Sequence, residues 1–111
     1  MKEAAIEAYL RDRVKEIGGK AYKFVSPGNG GVPDRLVCLP DGRAVFVELK
    51  APGKKPTALQ RAKHRELRKM GFVVFGKVDS KLQVDIALGL ATSQRYITER
   101  DIEELEMQDV E

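Results

Sequence analysis

Cysteine and histidine each occur once in this chain of 111 residues, and tryptophan does not occur at all. A lone Cys38 cannot form an intramolecular disulfide, which excludes the disulfide-framed secreted classes and fits a reducing compartment. No apolar run approaches the ~20 residues a membrane helix requires. The opening stretch, MKEAAIEAYLRDR, carries charges where a secretion signal needs its apolar segment. A cytoplasmic protein with no membrane partner is the expectation. Internal repeats and interdomain linkers are also missing, and the length suffices for one core of ordinary size but not two. The chain therefore reads as a single domain, 1–111.

What is present is charge, unevenly placed. The composition, 42% hydrophobic and 33% charged, suits a globular protein. The net charge of +3 hides a strong division. Residues 20–71 hold twelve Lys/Arg against four Asp/Glu, whereas residues 72–111 hold four against nine. A basic middle suits a polyanionic partner, because each cation near a phosphate releases condensed counterions; a solvated lysine-rich surface has the same composition.

Periodicity supplies the elements. Ile6, Leu10, Val14 and Ile17 recur at helical spacing over residues 3–17, and Gly18-Gly19 stops that helix. Residues 21–25 alternate as a half-buried strand, and Ser-Pro-Gly-Asn-Gly-Gly at 26–31 then breaks regular structure. Two apolar runs, 34–39 and 44–50, flank Pro40-Asp41-Gly42-Arg43 and predict a β-hairpin. Thr57 opens a helix to about Met70, with Leu59, Ala62 or Lys63, Leu67 and Met70 along one side. A buried strand at 72–78 precedes a helix over 80–91 whose Leu82, Ile86 and Leu90 should face inward. Thr98 caps a last acidic helix. The sum is a mixed α/β sheet flanked by helices.

The chemistry gathers in VFVELK, residues 45–50. Alternation along a strand puts Val45, Val47 and Leu49 on one face and Phe46, Glu48 and Lys50 on the other. A short hairpin sets Asp34, at the start of the preceding strand, beside Glu48. Two carboxylates and an ammonium at one end of a sheet suit metal-assisted phosphodiester hydrolysis: hard oxygens bind Mg²⁺ or Mn²⁺, and the lysine orients water or offsets phosphoryl charge. Taken alone, Glu48-x-Lys50 also fits a plain ion pair on an exposed strand, worth about 0–1 kcal/mol.

Pro33-Asp34 opening one strand and Glu48-Leu49-Lys50 closing the next, with helices before and after, resembles the PD-(D/E)XK nuclease superfamily. The surrounding G-V-P-D-R-L-V, V-F-V-E-L-K-A-P-G and Pro56-x-x-Leu59-Gln60 resemble its VRR-NUC family, found in phage proteins and in larger DNA-repair nucleases. The resemblance covers about residues 3–78, with 79–111 as a helical extension. It implies a restriction-endonuclease-like core in αβββαβ order, in a bacterial or phage-infected cell. It also implies that Asp34, Glu48 and the Leu49 carbonyl are metal ligands for Mg²⁺ or Mn²⁺, and that Lys50 is the catalytic lysine. Gln60 matches a family glutamine that faces the site, although Thr57-x-x-Gln60 equally fits a helix capping box. Glu3, or Glu7 one turn on, matches the acid the family carries on its first helix; each also suits the helix dipole.

Ser26, Arg35, Lys54, Lys55 and Arg61, with Arg65, are the candidate phosphate contacts. His64 reads as a surface residue and Cys38 as a buried structural thiol. Gly28-Asn29-Gly30-Gly31 lacks the Gly-Lys-Ser/Thr ending of a phosphate loop and reads as a loop near DNA. The expected activity is metal-dependent, structure-selective DNA cleavage, with four-way junction resolution by a homodimer as its specific form. The competing readings are cleavage of flaps or linear duplex, and a non-cutting nucleic-acid-binding module. Ile86, Leu88, Leu90, Tyr96 and Ile97 are the expected dimer surface.

Overall fold

A computed structural model describes residues 2–93 and 98–107. Helix α1 (Glu3–Glu16) forms where the four-residue spacing of apolar side chains predicts it, and Ile6, Leu10 and Val14 are fully buried along its inner stripe. Three strands follow: β1 (Lys20–Lys23), β2 (Arg35–Cys38) and β3 (Ala44–Leu49). β1 ends two residues earlier than alternation suggests, because Ser26-Pro27 already bends the chain; Phe24 still donates its amide to the Asp34 carbonyl at 2.8 Å. Helix α2 (Ala58–Lys69) carries the chain over to β4 (Val74–Val78).

The sheet has the order β1-β2-β3-β4, antiparallel for the first three strands and parallel between β3 and β4. A parallel neighbour needs a crossover, and α2 is that crossover. One face of the sheet packs Val37, Val45, Val47, Leu49, Phe75 and Val78 against α1 and against α3 (Lys81–Thr92). The opposite face carries Glu48, met by Gln60 and His64 of α2, and Phe46, packed edge-on between Phe24 and Phe72. Helix α4 (Glu99–Met107), capped by Thr98 as expected, buries Ile102 and Leu105. Among the described residues no helix is long and apolar enough to cross a membrane.

Two helices are rotated relative to the expectation. In α2, Leu59 and Met70 are exposed, and the fully buried side chain is His64, which the sequence placed on the surface. The reason is chemical: α2 covers the sheet face that presents Glu48 and Lys50, and buried polar groups require polar partners. In α3, Leu82 is exposed while Gln83, Val84, Ala87, Leu88 and Ala91 are buried. Gln83 goes inward because its Oε1 accepts from the Asp79 amide at 3.0 Å, joining the end of β4 to the helix. Leu88 therefore belongs to the core rather than to a dimer surface, while Ile86 and Leu90 are half-buried and packed against it; Tyr96 and Ile97 lie outside the described residues. Cys38 is free and half-buried rather than buried.

Candidate active site

The β2–β3 hairpin sets the geometry. Arg35 pairs with Val47 and Leu36 with Phe46, so Asp34, one step before β2, faces Glu48 across the ladder. Both Asp34 carboxylate oxygens accept from the Leu49 amide, at 3.2 and 3.3 Å. On the other side of β3 the pairing with β4 slips by one residue between Val47 and Leu49. Such a bulge re-aims side chains, and this one falls at Glu48. Glu48 is buried and Lys50 half-buried, with Lys50 Nζ 3.7 Å from Glu48 Oε2.

Helix α2 closes over this pair with polar groups. Thr57 and Gln60 form the full capping box: Thr57 Oγ1 accepts from the Gln60 amide at 3.1 Å, and Gln60 Oε1 accepts from the Thr57 amide at 2.9 Å. The same Oε1 accepts from Lys50 Nζ at 2.8 Å, and Gln60 Nε2 donates to Glu48 Oε2 at 3.4 Å. The two readings of Gln60 are thus both realised by one side chain, since a carbonyl oxygen has two lone pairs and its amide nitrogen a separate donor. One turn later His64 brings Nε2 to 3.7 Å from Glu48 Oε1.

Burial and crowding of charge dominate the electrostatics. Asp34 is pushed up to about 7, first by burial and next by the negative charge of Glu48. Burial also raises Glu48, against the opposing pull of Lys50. Burial and the Arg68 cation lower His64 to about 4, so its ring is neutral at physiological pH. A half-buried and a buried acid sharing a site are costly as anions and favourable around a cation. Among the described residues no three His, Cys, Asp or Glu side chains converge into a metal cage. The fit to a divalent ion rests instead on the pair Asp34 and Glu48, on the Glu48 Oε1 atom, which is buried without a hydrogen-bond partner, and on hard-oxygen chemistry suited to Mg²⁺ or Mn²⁺ with its remaining positions filled by water and substrate.

The other expected residues divide. Glu3, in the exposed first turn of α1, adds negative charge that raises both Asp34 and Glu48, whereas Glu7 ion-pairs with Arg35. Arg35 is buried in that pair, so its charge is spent inside the fold rather than offered to phosphate. Lys54, Lys55 and Arg61 are exposed, and Arg61 also donates to the Pro56 carbonyl at 2.9 Å. Ser26 Oγ accepts from Asn29 Nδ2 at 2.9 Å within the glycine loop. That loop rests on the start of α2: a Cβ on Gly31, whose φ is +84°, would lie 2.7 Å from the Leu59 carbonyl oxygen. Between α2, β4 and α4 runs a groove of about 650 Å³ whose lining includes Lys55, Arg61, Arg65 and Lys69, faced by Glu99 and Glu103 of α4.

Two residues escaped the sequence reading. Asp79, buried at the end of β4, accepts from the Gly53 amide at 3.1 Å and anchors the loop carrying Lys54 and Lys55. His64 lies four residues after Gln60, the one signal by which it could have been found, since i and i+4 share a helix face.

No family model matches the chain. Over 74 residues it is 55% identical to the p44 protein of Acyrthosiphon pisum secondary endosymbiont phage 1, provisionally named a nuclease; the match spans 67% of this chain and 80% of that protein. A solved structure described as a VRR_NUC domain superposes with a TM-score of 0.74 at 38% identity, covering 80% of this chain and 96% of its own.

Proposed function

Because the chain belongs to the VRR-NUC family of nucleases, we propose that it is a divalent-metal-dependent endonuclease that cuts branched DNA and resolves four-way junctions as a homodimer. The observation that carries the chemistry is the pairing of half-buried Asp34 with buried Glu48, with Lys50 beside it.

Asp34 and Glu48 would hold a divalent cation through carboxylate oxygens, and the Leu49 carbonyl would be a further ligand. When bound, Mg²⁺ or Mn²⁺ supplies Lewis acidity toward the phosphate and the attacking water. Lys50, kept in place by Gln60 Oε1 at 2.8 Å, presents a cation to the charge that grows on the phosphoryl oxygens. Gln60 also steadies Glu48 through its amide nitrogen. Glu3 contributes negative charge at the edge of the pair and favours cation binding.

Phosphate recognition falls to Lys54, Lys55 and Arg61, with Arg65, on the exposed loop and helix beside the site, and to the Ser26 loop seated on α2. These contacts position the backbone without reading bases. One catalytic set cuts one strand, and a junction requires two symmetric cuts. A two-fold dimer supplies them. The setting for this work is the cytoplasm of a bacterial or phage-infected cell.

The test is a cleavage panel of four-way junctions, flaps, linear duplex and single strands with Mg²⁺, Mn²⁺ or EDTA. Glu48→Gln and Asp34→Asn should abolish cutting, and Lys50→Ala should lower turnover by roughly 100- to 1,000-fold while leaving the fold intact. Wild-type cutting by Glu48→Gln overturns the site. Cutting of flaps but not junctions, or a monomer by light scattering, overturns the dimeric resolvase form.

A further inference from the structure

His64 has no part in the chemistry proposed above, yet the fold is shaped around it. Its side chain is 2% exposed. Nε2 is buried without a hydrogen-bond partner, and so is Glu48 Oε1, 3.7 Å away. Closing that gap to hydrogen-bond length takes a shift of about 0.8 Å. The neighbouring strand makes room for the ring: a Cβ on Gly76 would sit 2.7 Å from His64 Nδ1 and 2.8 Å from Glu106 Oε1, so a side chain at this position of β4 would force the ring and the glutamate to shift. Gly76 lies within the stretch where β4 slips against β3 beside Glu48. A buried imidazole, a bulge with a glycine and an unsatisfied carboxylate oxygen thus meet at one point.

We propose that His64 is the positioning residue for Glu48, donating from Nε2–H to Oε1 while Gln60 Nε2 holds Oε2, so that helix α2 fixes the carboxylate plane from both oxygens. This rests on the reading of Glu48 as a cation ligand. Each carboxylate oxygen keeps a second lone pair, so the two hydrogen bonds orient the group without occupying it. The neutral ring must carry its proton on Nε2, because the other tautomer would aim a lone pair at an anionic oxygen. A ligand held by such outer contacts presents its remaining lone pairs to the ion at no further ordering cost.

Mn²⁺ affinity, read by calorimetry without DNA, separates this role from packing. His64→Leu removes the donor and fills most of the space; it should weaken Mn²⁺ binding by about 10- to 100-fold. His64→Gln places an amide nitrogen near the position of Nε2 and should bind Mn²⁺ within about threefold of wild type, since the donor is what the ligand requires. Glu48→Gln should bind least. Wild-type affinity in His64→Leu, with affinity lost in Glu48→Gln, overturns the role of His64 and leaves the site intact. Equal losses in His64→Leu and His64→Gln also overturn it, as packing alone would explain them. Wild-type affinity in Glu48→Gln overturns the site itself. Where His64→Leu does not fold, the wild-type protein decides: His64 is the single histidine, and its ¹H–¹⁵N spectrum with Mg²⁺ should show a proton on Nε2 alone. A proton on Nδ1 instead refutes the proposal.

Discussion

Asp34 carries a proton more readily in the folded protein than in the unfolded chain, since its value rises from 3.8 to about 7. The sign follows directly. A carboxyl raised by folding contributes stability that is complete below about pH 4 and is lost as pH climbs through 7. In EDTA, the melting temperature of the wild type should therefore fall between about pH 4 and pH 7 and level off above that, and Asp34→Asn should flatten that fall, because an amide has no proton to lose. Thermal melts across this interval check it, and a variant with the wild-type slope would assign the pH dependence to other groups. The same residues explain what was legible. Asp34, Glu48 and Lys50 follow from strand alternation and one tight turn, both properties of local sequence. The pairing of Glu7 with Arg35 does not, because it depends on how α1 lies across the sheet, and nothing in either segment encodes that placement.

Helix α2 shows where periodicity misleads. Its apolar side chains suggest an inner stripe through Leu59 and Met70, but the sheet beneath it is polar, and the helix turns Gln60 and His64 to meet Glu48 and Lys50. A helix buries what its partner surface demands, and the partner is not visible from within the helix. Gln60 joins the two demands, serving the cap and the site with one amide. These functions are separable by mutation. Thr57→Ala removes the cap hydroxyl and should cost about 1 kcal/mol of stability with cleavage largely retained. Gln60→Ala loses the acceptor for Lys50 as well and should cost both stability and turnover. Denaturant melts run alongside cleavage rates check this, and equal turnover losses in the two variants would show that the cap, not the Lys50 contact, is what matters.

Across the whole molecule, charge is sorted by sequence and then folded back on itself. The acidic α4 faces the basic α2 across the groove, with Arg68 bonded to Glu106 at 2.6 Å. Part of the basic excess is thereby neutralised internally, and Arg35 is removed by Glu7. What remains toward solvent near the site is the loop carrying Lys54 and Lys55 and the outer side of α2. Replacing both lysines by alanine should weaken binding to junctions of any sequence alike and reduce the slope of log K against log salt by about 1 to 2. Fluorescence anisotropy over a salt series checks it, and an unchanged slope would place the phosphate contacts elsewhere.

The hairpin and the helix after it hold Asp34, Glu48, Lys50, Gln60 and His64 within residues 34–64, with Glu3 of α1 adding its negative charge. The burdens on the chain are divided accordingly. Variation in α3, and in α1 beyond Glu3, is judged by whether the protein still folds. On the proposed function, variation between residues 34 and 64 is judged by whether a folded protein still works. A lineage could therefore rebuild most of the scaffold by ordinary hydrophobic exchange while the short central segment stays fixed, and relatives of very different size could share this segment and little else.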